Sequence, residues 1–237
     1  FSILNQAGRL RGDIHAQFVI LLILRRGGVP CHSLRIMSKS YRVAIVGASG
    51  AVGVEMLRVM ERRNFPVASL RLLASPRSAG KPLEFRGETH HIEPLTLDAF
   101  RDIDIALFSA GGGISRDYAK AAVDSGAVVV DNSSAFRMVP EVPLVVPEIN
   151  GEDVKNHRGI IANPNCSTAQ LVVALKPLHD RAVIKRVVVA TYQSVSGAGK
   201  DAMDELFNQS RAIFSAGEVK VEKFSKRIAF NVIPHID

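Results

Sequence analysis

At 237 residues, with 47% hydrophobic and 22% charged side chains, the chain has the composition of a globular protein with room for one large or two ordinary domains. Its two cysteines, Cys31 and Cys166, exclude a disulfide framework and fit a reducing, cytoplasmic setting. The net charge of +7 is uneven: residues 1–36 carry five arginines against Asp13 and the other 201 residues hold only +3, with no basic block and no tryptophan, so nucleic acid is set aside as a partner.

Residues 1–36 differ in character from the rest of the chain. The run "FVILLIL" (Phe18 to Leu24) is seven residues long, too short to cross a bilayer, and no small-residue cleavage site comes after it. Neither a membrane nor a secretory role is expected. Met37 opens "MSKSYRVAIVG" in the manner of a natural start. Residues 1–36 are therefore expected to be an extension outside the fold.

From Tyr41 the pattern is strand, glycine turn, helix. "YRVAIVG" is continuously apolar, as a strand covered on both faces must be. "GASGAVG" comes next, and "VEMLRVMERR" has near-helical apolar spacing up to the stop at "NFP". "SLRLLA", "IDIALFSA" (Ile103 to Ala110) and "AVVVDNS" (Ala127 to Ser133) read as further strands, with a helix at about Arg116 to Ser125. "LVVPEIN" and "GIIANPN" are shorter strand-like runs. Alternating strands and helices with short connections predict an α/β fold, a doubly wound, Rossmann-like parallel sheet over residues 37–165. From residue 166 to 237 a second domain is expected to begin: the helix "STAQLVVALKPL", a long strand in "IKRVVVATYQSVSG", and a helix over about Gly199 to Phe214.

Gly47, Gly50 and Gly53 form G-x-x-G-x-x-G between a strand and a helix. There the backbone can turn tightly and approach a pyrophosphate lying at the helix N-terminus. A merely tight turn is the simpler alternative. NAD sites usually place an acid after the second strand; here that strand runs into "SPRSAGK" with none. Ser75, Arg77 and Ser78 instead suit a 2′-phosphate, so NADP is the expected cofactor, although Arg77 taken alone also reads as a solvated loop cation. "SAGGG" puts Ser109, Ala110 and Gly111 after the next buried strand, where a loop passes the cofactor. "GAGK" near Lys200 is no P-loop, since position 194 is Ser and Asp201 follows the lysine. No tyrosine has a lysine four residues on, so the Tyr-x-x-x-Lys pair is absent as well.

A free cysteine is most often a buried small hydrophobe. Cys166, however, lies in "NPNCSTAQ" at the expected start of a helix, where unpaired N–H groups and the dipole favour a thiolate. Beside a nicotinamide site, that residue points to thioester or thiohemiacetal chemistry followed by hydride transfer.

The blocks "GASGAVG", "SPRSAGK", "SAGGGIS", "DNSSAFRM", "VPEIN", "NPNCSTAQ", "YQSVSGAGK" and "FNVIPHID", in this order over Tyr41 to Asp237, closely resemble aspartate-semialdehyde dehydrogenases. The resemblance implies reduction of L-aspartyl-4-phosphate with NADPH to aspartate semialdehyde and phosphate, on the route to lysine, threonine and methionine. It implies that Cys166 is the acyl-enzyme nucleophile, that Gln193 contacts substrate near the reacting carbonyl, and that Arg137 binds the substrate's phosphate. Taken alone, Gln193 is an ordinary polar residue at a strand end and Arg137 a surface arginine. Ser49, Gly50, Ala51 and Val52, Arg77 with Ser78, and Ser196 with Gly197 match the family's NADP contacts. The second domain becomes a catalytic and dimerisation domain of α+β type, present in part, and the protein a homodimer or higher homo-oligomer.

The resemblance also implies that the family's acid/base histidine, carboxylate-binding arginine and Glu/Lys pair come after "IPHID". The chain is therefore expected to hold an incomplete site, weakened about 10²–10⁴-fold by loss of the acid/base. None of His90, His91, His179 or His235 falls where that histidine belongs. Two alternatives stand beside this reading: N-acetyl-gamma-glutamyl-phosphate reductase, with the same chemistry on a longer acyl phosphate, and a non-catalytic NADP-binding relative, which would need neither Cys166 nor Gln193.

Overall fold

The computed structural model describes residues 40–234. The expected extension (1–36), Cys31 and His235 lie outside the described residues. Two compact units divide the chain between Val187 and Val188.

In the first unit the apolar run after Ser40 forms β1 (Tyr41–Val46). Its side chains alternate between faces: Val43 and Ile45 join one core, Ala44 and Val46 the other. α1 (Ala51–Arg62) covers the first core with Met56, Leu57 and Met60. α2 (Gly112–Asp124) covers the second with Ala119 and Ala122, where Phe100 and Phe108 stack at 5.8 Å. A sheet apolar on both faces needs helices on both faces, and this double winding is what the sequence predicts.

The remaining elements are β2 (Val67–Ala74), β3 (Pro82–Phe85), β4 (Glu88–His91), β5 (Glu93–Pro94), β6 (Ile105–Phe108), β7 (Val128–Asp131), α3 (Pro147–Asn150), β8 (Ile160–Ala162) and α4 (Cys166–Ala182). Six strands pair in the order β5-β2-β1-β6-β7-β8, every pair parallel. Counted along the chain, that is the 3-2-1-4-5-6 order of dinucleotide-binding domains. The order reverses at β1, so the loops after β1 and β6 meet at the C-terminal edge of the sheet. At the opposite edge Arg42 forks onto Asp104, with Nε–Oδ2 at 3.2 Å and Nη2–Oδ1 at 3.1 Å. That hydrogen bond, with the Asp104 charge, raises the guanidinium pKa above its ordinary value.

β3 and β4 form a separate antiparallel hairpin that the polar sequence "PLEFRGETHH" does not announce. Arg86 and Gly87, both at positive φ (54° and 79°), make its two-residue turn, a conformation matched to the twist of paired strands.

Two expected strands are not formed. In "LVVPEIN" only Leu144 bridges to Ala162; Pro147 then starts α3, because proline lacks an N–H for a ladder but suits the first helical position. Asn150 closes that turn by accepting from the Val146 N–H at 2.9 Å. The β-branched "IKRVVVATYQSVSG" pairs with no strand among the described residues, and Val188 and Tyr192 are 80% and 88% exposed. β-propensity measures fit to a pleated, half-buried surface, so without a ladder partner it does not by itself make a strand.

The second unit centres on α5 (Lys200–Phe214). Gln209, 2% exposed, donates to Glu205 Oε1 (2.9 Å) and to the Lys220 carbonyl (2.8 Å), and accepts from the N–H groups of Ile228 (2.9 Å) and Ala229 (3.1 Å). Glu205 also accepts from the Lys223 N–H. The irregular segment after α5 is thus fastened to the helix by two polar side chains one turn apart.

Candidate active site

All the loops that matter in the first unit leave the same edge of the sheet. After β1, Gly47 turns at φ +89°, its N–H donating to Leu73 O at 2.8 Å and its carbonyl accepting from Gly50 N–H at 3.0 Å. A Cβ on Gly47 would stand 3.0 Å from Ala110 N and from the Ser109 carbonyl carbon; one on Gly53 would stand 2.4 Å from Gly47 O. The glycines at 47 and 53 are therefore required by close approach, not by turn geometry alone. α1 begins after Gly50 with no side-chain cap and no acid in its first turn, so the N–H groups of Ala51 and Val52 have no side-chain acceptor and are open to a bound anion.

Ser109 lies against this turn, its N–H and hydroxyl both donating to Val46 O (2.9 and 3.2 Å). Ala110 is next, then Gly111 at φ +90° caps α2. After β2, Ser75 leads into a one-turn 3-10 helix, Pro76–Ser78, with Arg77 exposed and Ser78 half-buried. No acid lies in this segment. These residues fit a dinucleotide: a bare helix N-terminus for the pyrophosphate, a floor cleared of Cβ atoms, and a guanidinium with hydroxyls beyond the second strand.

β7 ends in Asp131, wholly buried. Its carboxylate accepts from Ser115 Oγ (2.6 Å) on α2, Ser133 Oγ (2.7 Å) and Ser133 N–H (3.2 Å). Ser133 Oγ in turn accepts from Ala135 N–H at 3.1 Å. This network fixes the segment that carries Arg137, which is half-buried. Arg137 donates from Nε to Asn163 O (2.8 Å) and from Nη2 to Asn132 O (3.1 Å).

β8 leaves the sheet two strands, about 10 Å, from β6, and runs into "NPNC". Asn165 is the N-cap of α4, its Oδ1 accepting from Ser167 N–H at 3.0 Å and Ser167 Oγ at 2.5 Å. Cys166 is half-buried at the first position of the helix, its thiol 3.9 Å from the same oxygen. Asn165, Asp131, Ser115 and Ser133 are site-supporting residues that the sequence reading did not nominate. Asn165 carries a visible signal, an N-cap residue directly before the helix; the buried Asp131 pairing depends on tertiary contact and has none.

Gln193, Ser196 and Gly197 belong to the second unit. There Gln193 Oε1 accepts from Thr191 Oγ1 at 3.2 Å, and Ser196 and Gly197 lie in a 3-10 turn, Val195–Ala198, all three exposed.

Sheet order and the glycine turn define a dinucleotide-binding α/β domain, and Cys166 opens a helix after β8, at the same edge of the sheet. Residues 42–157 match the family described as semialdehyde dehydrogenase, NAD binding domain, and residues 175–237 match semialdehyde dehydrogenase, dimerisation domain. The aspartate-semialdehyde dehydrogenase of Aquifex aeolicus is 58% identical over 201 residues, 83% of this chain and 59% of that protein. The crystal structure of aspartate semialdehyde dehydrogenase II from Vibrio cholerae, complexed with ASA, superposes with a TM-score of 0.80 at 48% identity, over 84% of this chain and 60% of that one. That of the Candida albicans enzyme with NADP superposes at 0.53 and 26% identity, over 61% and 48%. The chain belongs to the aspartate-semialdehyde dehydrogenase family, and it spans about 60% of the length of the curated relatives it matches. Among the described residues no helix is long and apolar enough to cross a membrane.

Proposed function

We propose that this chain carries the NADP-binding and nucleophile-bearing portion of a cytoplasmic aspartate-semialdehyde dehydrogenase that is a homodimer or higher homo-oligomer, with residues 37–165 as cofactor domain and 166–237 as part of the catalytic and dimerisation domain. The observation that carries the reading is the placement of Cys166 at the start of α4, on the sheet edge that also bears the turn at Gly47–Gly53 and the loop at Ser109–Gly111. The dimerisation-domain match supports the homo-oligomer.

NADP would be held by the Gly47–Gly53 turn with the N-terminus of α1, by Ser109, Ala110 and Gly111, by Ser75, Arg77 and Ser78 at the 2′-phosphate, and by Ser196 and Gly197. When bound, the reduced cofactor supplies the hydride that takes a thioester to the oxidation level of an aldehyde. Cys166 does the rest of the covalent work. Its thiolate attacks the acyl carbon of L-aspartyl-4-phosphate, the carbon–oxygen bond to phosphate breaks, and a thioester forms. After reduction the thiohemiacetal collapses, releasing aspartate semialdehyde and returning the thiolate. Asn165 orients the start of α4, Gln193 would contact the substrate near its carbonyl, and Arg137 would receive the phosphate.

The test is phosphate-dependent NADPH formation, comparing aspartate semialdehyde with N-acetyl-glutamate semialdehyde. Cys166-dependent turnover of the first alone is expected. Turnover of the second alone would make the protein an N-acetyl-gamma-glutamyl-phosphate reductase. Activity unchanged in Cys166→Ala would contradict the mechanism; absence of turnover with both substrates would not, since the site in this chain is expected to be incomplete and weakened about 10²–10⁴-fold.

A further inference from the structure

We infer that Arg137 is a positioning residue for the turn that carries Cys166, in addition to any part it has in holding phosphate; the inference rests on the reading of Cys166 as the nucleophile. The Asn163–Cys166 turn joins β8 to α4, and Pro164 within it has no N–H to give. Its far end is fixed by the Asn165 cap. Its near end is fixed through the main chain of Asn163: the N–H donates to Asp131 O at 2.9 Å, and the carbonyl accepts from Arg137 Nε at 2.8 Å. The Asn163 residue is 3% exposed and its Oδ1 accepts no hydrogen bond, so these main-chain bonds are what the structure shows holding this end. Arg137 Nη2 meanwhile holds Asn132 O at 3.1 Å, so one planar guanidinium spans the segments that leave β7 and β8.

The span depends on shape as well as charge. Hydrogen bonds from an ionised donor are stronger than neutral ones, and the guanidinium fork reaches two divergent carbonyls at fixed geometry. A lysine keeps the charge that attracts phosphate but offers one flexible ammonium in place of the fork. Arg137→Lys therefore separates the two roles.

The experiment compares the 237-residue chain with its Arg137→Lys and Arg137→Ala variants, first in phosphate-free buffer and then with inorganic phosphate titrated against Cys166 alkylation. Amide hydrogen exchange is read at Asn163 and Ser167, with the β1 amides as the control for folding. Both variants are expected to exchange about tenfold faster or more at Asn163 and Ser167, the scale of losing one hydrogen bond to a charged group, with β1 unchanged. The pH profile of Cys166 alkylation by iodoacetamide is expected to change in the lysine variant as in the alanine variant. Unchanged exchange and an unchanged alkylation profile in Arg137→Lys, with only the inorganic phosphate concentration that protects Cys166 altered, would overturn the inference and leave Arg137 as an anion binder. Loss of β1 protection in the lysine variant would also overturn it, since Arg137 would then be a requirement of the fold. These readouts track the turn and not turnover, so they stand or fall separately from the proposed reaction.

Discussion

A Cβ on Gly53 would stand 2.4 Å from the carbonyl oxygen of Gly47, so the first turn of α1 sits directly on the turn that precedes it. No L side chain fits there without moving one against the other. Gly53→Ala is predicted to cost about 1–3 kcal/mol, the usual scale of overpacking, and to weaken NADPH binding as the turn shifts. Thermal unfolding and NADPH fluorescence titration check both; a variant that melts and binds like the parent would show that the seat is loose.

Arg77 lies exposed in the 3-10 turn after β2, in a segment without an acid. Arg77→Ala is predicted to weaken NADPH binding about tenfold or more while leaving NADH binding unchanged, because only the former has a 2′-phosphate to pair with. Parallel titrations with the two dinucleotides read the difference. Equal losses for both would place Arg77 away from the ribose.

Asp131 is wholly buried and accepts three hydrogen bonds, from Ser115, Ser133 and the Ser133 main chain. Asp131→Ala strands two hydroxyls and an N–H and is predicted to destabilise the first unit by about 2–4 kcal/mol. Asp131→Asn, which can still bond both serines, is predicted to lose less. Urea unfolding of the two variants orders them, and an alanine variant no weaker than the asparagine one would refute the network's role.

The contrast between Asp131 and the strands shows what was legible in the sequence. β1, β6 and β7 carry apolar runs, and burial of both faces leaves little else for such runs to be; β2, interrupted by Ser69 and Arg71, was legible from its buried end Leu72–Ala74. The glycine turn was legible because close approach and positive φ have one residue that serves them. Asp131 was not, since Ser115 becomes its neighbour only when α2 docks on β7, and Ser133, two residues on, gives no sign by itself that the carboxylate is buried. "LVVPEIN" misled because Pro147 ends the strand pattern by opening α3, and "IKRVVVATYQSVSG" because β-branching is read as a strand even where no ladder partner is at hand. The hairpin at Pro82–His91 hid behind polar residues, its signal being the Arg86–Gly87 turn alone.

In the second unit Gln209 makes four hydrogen bonds, three of them to the main chain at Lys220, Ile228 and Ala229. Gln209→Ala removes all four at once. The variant is predicted to release the tail from α5, so that limited proteolysis cuts within 217–229 many times faster than in the parent. Unaltered resistance in that segment would mean that apolar contacts such as Phe214 against Phe230, 5.6 Å between centroids, hold the tail without it.

The most direct measurement is intact-protein and peptide mass spectrometry of the chain after incubation with aspartate semialdehyde and NADP without phosphate, with Cys166→Ala alongside. If Cys166 is the nucleophile at the cofactor edge, an aspartyl thioester accumulates on the peptide containing Cys166, is absent from the variant, and is discharged by added phosphate. An adduct on another residue, or NADPH formed in the Cys166→Ala variant, would contradict it.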